Sequence, residues 1–136
     1  MKNIHTSNFA RNGDKPNAIA ISCTVPKWYN GKHYKSLAPE WSMVDAVKKD
    51  QMTREQYAVF YLDLLTERGI TPEKVLAMIP DNSILLCYES PNNFCHRRVL
   101  ADWVKDKTGV EIPEWKNEKE QDLAQQEALV DSMLDF

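Results

Sequence analysis

Three observations in this chain predict an α/β fold built on a small, mostly parallel sheet. Two apolar, partly β-branched runs, Ala18-Ile19-Ala20-Ile21-Ser22-Cys23 and Ile84-Leu85-Leu86-Cys87-Tyr88, stand far apart. Stretches with the three-to-four-residue apolar spacing of helices lie between and after them. Both runs are nearly continuous rather than alternating, as in strands covered on two faces. Strands separated by helices are joined by crossovers, which makes them parallel and lays the helices on the faces of the sheet. A length of 136 residues, 43% hydrophobic and 27% charged, is the size and mixture of one core. We therefore read 1–116 as a single α/β domain and 117–136 as a segment of different character.

The opening Lys2-Asn3-Ile4-His5 is a short strand candidate, followed by the polar turn Thr6-Ser7-Asn8. The Ala18 run is the second strand and stops before Pro26. From Lys27 to Pro39 the mixture of Trp28, Tyr29, Asn30, Gly31, Lys32, His33 and Tyr34 has no period, and reads as a long ordered loop. The tyrosines and tryptophans of the 28 to 41 stretch either fix the loop to the core or stack on a base or ring. A helix follows through Trp41, Val44 and Val47. Thr53 with Gln56 makes a capping box for the next, whose apolar stripe is Tyr57, Phe60, Tyr61, Leu64 and Leu65, ending at Gly69. Thr71-Pro72 opens a third helix, carrying Val75, Leu76 and Ile79 before Pro80. After the Ile84–Tyr88 strand comes a helix with Val99, Leu100, Trp103 and Val104, closed by Thr108-Gly109, and Val110-Glu111-Ile112 is a short edge-strand candidate.

The formal charge is −3 and the pI near 5.6. Such a chain gains nothing from counterion release, which argues against general nucleic-acid binding or an anionic membrane surface. No apolar stretch approaches the roughly 18–20 residues that span a bilayer, and Met1 to Arg11 lacks the apolar centre of a signal peptide. A cytoplasmic protein with no membrane attachment is expected. Three cysteines without paired spacing fit a reducing compartment, so free thiols are expected as well.

Chemistry concentrates in Cys87-Tyr88-Glu89-Ser90-Pro91-Asn92-Asn93-Phe94-Cys95-His96-Arg97-Arg98, where a strand hands over to a helix. In parallel sheets, ligands gather beyond the carboxyl ends of the strands, where helix N-termini direct free N–H groups outward. Thr6-Ser7, Thr24-Val25-Pro26 and Glu89-Ser90 follow the three strand candidates onto that rim. A thiol at a helix start beside a histidine and arginines has its thiolate favoured. His96 shares the azimuth of Trp103 on the apolar stripe, so it is either a neutral core residue or a contact at the rim. Cys95 is either a nucleophile or a small buried residue, and Cys87 a strand residue of the core or a ligand contact. Arg97 reads as the partner of an anion or of a carboxylate such as Glu89; Arg98 points away from the sheet.

Zinc has donors to choose from in Cys87, Cys95, His96, Cys23 and His5. There is no C-x-x-C or H-x-x-x-H pair, and adjacent helical residues seldom converge on one ion, so no cofactor is expected, with a zinc-stabilised domain as the lesser alternative. A thiol phosphatase closes a short loop between Cys and Arg, whereas nine residues separate Cys87 from Arg97. The four glycines are scattered and form no phosphate loop.

The pair Cys87-Tyr88-Glu89 and Cys95-His96-Arg97, followed by an apolar helix, resembles the signature of the bacterial and phage family called domain of unknown function 488. Thr6-Ser7-Asn8-Phe9-Ala10-Arg11, Ile21-Ser22 and Tyr34-Lys35-Ser36-Leu37-Ala38-Pro39 are similar to its phage-type or short members, and the likeness covers about residues 2 to 112. The resemblance implies a Rossmann-like three-layer fold and a rim site around Thr6, Ser7, Cys87, Glu89, Cys95, His96 and Arg97. It implies no reaction. If the chain is phage-encoded, its place is the host cytosol.

The functional expectation is a pocket for a nucleotide-like or other phosphorylated small molecule, bound and in one version acted upon. Cys95, His96 and Glu89 are the catalytic candidates, as nucleophile and acid/base groups. Thr6, Ser7, Cys87 and Arg97 are the ligand-binding candidates. The rival expectation is a non-enzymatic interaction protein that modulates a partner. Its contact would be the acidic amphipathic segment 117–136, with Glu118, Glu120, Asp122, Glu127, Asp131 and Asp135 set against Leu123, Leu129, Val130, Met133, Leu134 and Phe136.

Overall fold

The apolar runs become neighbours in one sheet. A computed structural model describes residues 2–88 and 95–117, together with Leu123, Gln126 and Glu127. Among these residues, β1 (Ile4–Asn8), β2 (Ala18–Ala20), β3 (Lys32–His33) and β4 (Ser83–Cys87) form a four-stranded sheet in the order β1-β4-β2-β3, parallel at every pair. The strand latest in sequence lies between β1 and β2, and all five of its residues are buried. A strand covered on both faces needs apolar side chains on both, which is why its sequence does not alternate.

Alternation along the strands sorts the two faces. Ile4, Ile19, Ile21 and Leu85 belong to the larger core, shared with α2 (Trp41–Lys48), α3 (Arg54–Glu67), α4 (Pro72–Met78) and α5 (His96–Thr108). Ala18, Ala20, Ile84 and Leu86 face the other way, against Phe9 of α1 (Phe9–Asn12), Tyr29, Val25 and Trp115. The result is the expected Rossmann-like α/β arrangement in three layers.

The helix ends follow the sequence signals. Thr53 and Gln56 complete the capping box of α3, Thr71 accepts from the Lys74 amide ahead of Pro72, and Gly109 closes α5 in the left-handed conformation at φ 78°. The buried stripe of α3 is Tyr57, Tyr61 and Leu65, and Phe60, expected on it, is 52% exposed.

Three elements differ from the reading of the sequence. Thr6-Ser7-Asn8 is not a turn: β1 continues through it because β4 offers partners as far as Cys87, opposite Asn8. Asn8 then caps α1 by accepting from the Arg11 amide. The Lys27–Pro39 loop contains β3 and a 3-10 turn at Lys35–Leu37. The loop is pinned by the buried Tyr61 hydroxyl, which donates to the Leu37 carbonyl at 2.6 Å, and by Arg68, which donates to the Ser36 and Ala38 carbonyls at 2.9 and 2.6 Å. Val110–Ile112 is not a strand, and the chain instead makes one parallel bridge from Glu114 to Thr6. Most of the acidic segment, with its expected helix, lies outside the described residues. Among those described, no helix is long and apolar enough to cross a membrane.

Candidate functional site

β4 delivers Cys87 to the carboxyl edge of the sheet, and the chain returns to that edge at Cys95. Glu89, the third catalytic candidate, lies outside the described residues. Cys95 is the N-cap of α5 and has extended backbone, φ −151° and ψ 148°, while His96 is the first helical residue. The two side chains therefore do not fan apart as neighbours within a helix do. Sγ of Cys95 lies 3.6 Å from Nδ1 of His96 and in direct contact with Sγ of Cys87. The expectation of free thiols is thus corrected: the structure pairs Cys87 with Cys95 as a disulfide, and only Cys23 is free. The Cα atoms of Cys87 and Cys95 are 7.3 Å apart, wider than the roughly 4.4–6.8 Å that bridged cysteines span.

His96 is buried, with its ring edge-on to Tyr61 at 5.3 Å between centroids. Its Nε2 lies 2.6 Å from the Ile21 carbonyl. A carbonyl only accepts, so this contact assigns the proton to Nε2 and leaves the Nδ1 lone pair facing the sulfurs. Burial lowers the pKa of His96 to about 4, with the Arg97 charge adding to the effect and the Ile21 carbonyl opposing it. The imidazole is neutral at pH 7.

Arg97 is fully buried. Its Nε and Nη2 donate to the two carboxylate oxygens of Glu114 at 3.0 and 2.9 Å, and its Nη1 donates to Cys87 Sγ at 2.9 Å. Glu114 also accepts from the Thr6 hydroxyl at 2.7 Å. Arg98 does not point into solvent as expected. It donates to Thr6 Oγ1 at 2.9 Å and to the Ile112 carbonyl at 2.8 Å, tying the start of α5 to β1 and to the chain after α5. Ser7, on the opposite face, is buried and donates to Asn12.

A cavity of about 250 Å³ opens at this edge. Cys87, Cys95 and His96 form one side; Tyr57, Val44 and Val47 come from the helices; Ser22, Cys23 and Thr24 follow β2; Pro39, Trp41, Lys48 and Tyr88 complete the lining. Trp41 is 58% and Tyr88 50% exposed, so these rings stand at the mouth. Lys48 Nζ lies 5.5 Å from the Trp41 ring centroid. Cys23 donates to the Pro39 carbonyl, and burial pushes its thiol pKa up, opposed by Arg68. The structure brings Cys87, Cys95 and His96 together here, but it does not bring Thr6, Ser7 or Arg97 to the cavity: they sit behind it. Sequence reasoning missed Glu114, Lys48 and Tyr57 as site residues. Trp41 is among the aromatics of the 28 to 41 stretch for which stacking is one of the two expected roles, and the structure places it on the cavity.

The family model described as the active DUF488-N3 subclade matches residues 14–108, which include the whole Cys87-to-Arg97 motif. That is well over half of the chain, which belongs to the DUF488 family, as the resemblance of its cysteine motif implied. No curated protein and no solved structure matches it.

Proposed function

We propose that this member of the DUF488 family binds a nucleotide-like small molecule, a flat ring carrying an anionic group, in the cavity at the carboxyl ends of its strands, and that the Cys87, Cys95 and His96 floor acts on it. One observation carries the reading: aromatic walls, a cation at the mouth and a buried sulfur–imidazole floor meet in a single cavity. The half-exposed rings of Trp41 and Tyr88 have faces on which a base can stack. Lys48, exposed beside Trp41, supplies the charge for a phosphate. At about 250 Å³ the cavity falls below the range of roughly 300–1,000 Å³ that encloses whole ligands. It suits the ring, with the charged part left at the mouth. The description of the subclade as active supports a floor that reacts rather than one that only packs. An unprotonated Nδ1 beside two sulfurs is electron-rich, suited to taking a proton or holding an electrophile.

The test is thermal denaturation of the full chain with separate pools of nucleotides and sugar phosphates. A ligand at 100 times its Kd stabilises the folded state by about 2.7 kcal/mol. Nucleotides should raise the melting temperature of the wild type. Trp41→Ala should weaken the effect of every ring-bearing ligand, and Lys48→Ala that of the phosphorylated ones only. No stabilisation by any pool would refute the reading, and stabilisation by sugar phosphates alone would refute its ring component.

A further inference from the structure

We infer that Cys87, Cys95 and His96 are the three protein ligands of a zinc-class divalent ion whose fourth position opens into the cavity. The inference rests on the proposed function in one respect: the open position is where a bound small molecule would meet the ion. The donor atoms all lie within 4.8 Å of one another, and all three residues are buried. Sulfur at about 2.3 Å and nitrogen at about 2.0 Å from one ion form a triangle within that span, which the donors reach when the Cys87–Cys95 pair is reduced and its sulfurs part around the ion. Sequence spacing argues against metal because neighbouring helical residues diverge. That objection fails here, since Cys95 is the extended residue ahead of the helix and Cys87 arrives from β4.

The groups behind the donors fit as well. Metal-binding imidazoles commonly donate their second N–H to a carbonyl, which fixes the ring and frees the other nitrogen. His96 does so to Ile21, and its free Nδ1 faces Cys95 Sγ. Arg97 Nη1 donates to Cys87 Sγ, an outer hydrogen bond of the kind that orients a metal ligand. Charge closes too: two thiolates, a neutral imidazole and a divalent cation sum to zero, and Arg97 is balanced by Glu114. Three protein ligands and one open position is the pattern of reactive rather than structural zinc. Cys23, the remaining cysteine on the cavity, stands outside the donor cluster and donates to Pro39.

The test uses the full chain, reduced and stripped with a chelator, then titrated with cobalt(II) and back-titrated with zinc(II). One equivalent of cobalt should bind, with a sulfur-to-metal charge-transfer band and the visible bands of four-coordinate cobalt, all removed by zinc. Cys87→Ser and Cys95→Ser should each lower the charge-transfer band by about half and weaken binding by at least about tenfold, while Cys23→Ser changes neither. Absence of the band in the reduced wild type would overturn the inference, as would a band of full intensity in Cys87→Ser. The wild-type titration decides even if a variant fails to fold. Nucleotide stabilisation without cobalt binding would remove only this inference, whereas cobalt binding without any stabilising ligand would remove only the ligand reading.

Discussion

Glu114→Gln removes one charge while keeping the size of the side chain, and it tests the support behind the sulfur cluster. Glu114 accepts two hydrogen bonds from Arg97 and one from Thr6, and the Arg97 side chain has no exposure against 18% for Glu114. Arginine does not give up its proton in a protein, so the substitution removes the carboxylate that this buried cation grips with two hydrogen bonds. Removing one partner of a buried pair typically costs about 3–5 kcal/mol. Glutamine retains one acceptor, which places the expected loss near the lower end, about 3 kcal/mol. With a urea m-value of about 2 kcal/mol/M for a small domain, the unfolding midpoint should fall by roughly 1.5 M. Urea titrations of the wild type, Glu114→Gln and the double variant Arg97→Met/Glu114→Leu give the answer. The double variant should recover most of the loss, because an apolar pair of similar volume needs no counter-charge. A loss under about 1 kcal/mol for Glu114→Gln, or a double variant no more stable than the single one, would refute the reasoning.

Further outcomes follow from the same geometry. In the metal-free chain, His96 has a folded pKa of about 4 against about 6.5 unfolded, so the folded state binds fewer protons. Its contribution is fully present above the unfolded value and is lost as the pH falls toward 4, on the order of 3 kcal/mol in all; urea midpoints should show a slope across this window that His96→Gln flattens. Thr53→Ala should cost about 1 kcal/mol by opening the capping box of α3, with nucleotide stabilisation retained. Removal of residues 117–136 should leave nucleotide stabilisation unchanged, and its loss would move the site to the acidic segment.

What was legible in the sequence is what is local. The unbroken apolar run at Ile84 announced a strand buried on both faces, and the Thr53/Gln56 pair announced the start of α3. The run from Cys87 to Arg97 announced where reactive groups would meet. What escaped depends on partners far along the chain. Thr6 looked like a turn residue because its hydroxyl and backbone are satisfied by Glu114, Pro113 and Trp115, more than a hundred residues away. Arg97 called for an anion or a carboxylate, but only the fold could supply Glu114. Lys48 carries no motif, since it gains a role only when the Lys27–Pro39 loop, held by Tyr61 and Arg68, sets α2 beside the cavity. Spacing also misjudged the donors: the extended backbone of Cys95 decides whether it and His96 converge.

The most direct measurement of the central claim, that this cavity is the ligand site, is the alkylation rate of each cysteine in the full chain, followed by mass spectrometry. It should be run above neutral pH, because burial raises the Cys23 thiol pKa. Cys23, partly exposed and lining the cavity, should label faster than the buried Cys87 and Cys95. Nucleotides should slow its labelling in the wild type and not in Trp41→Ala. A Cys23 rate that no nucleotide or sugar phosphate changes would contradict the account.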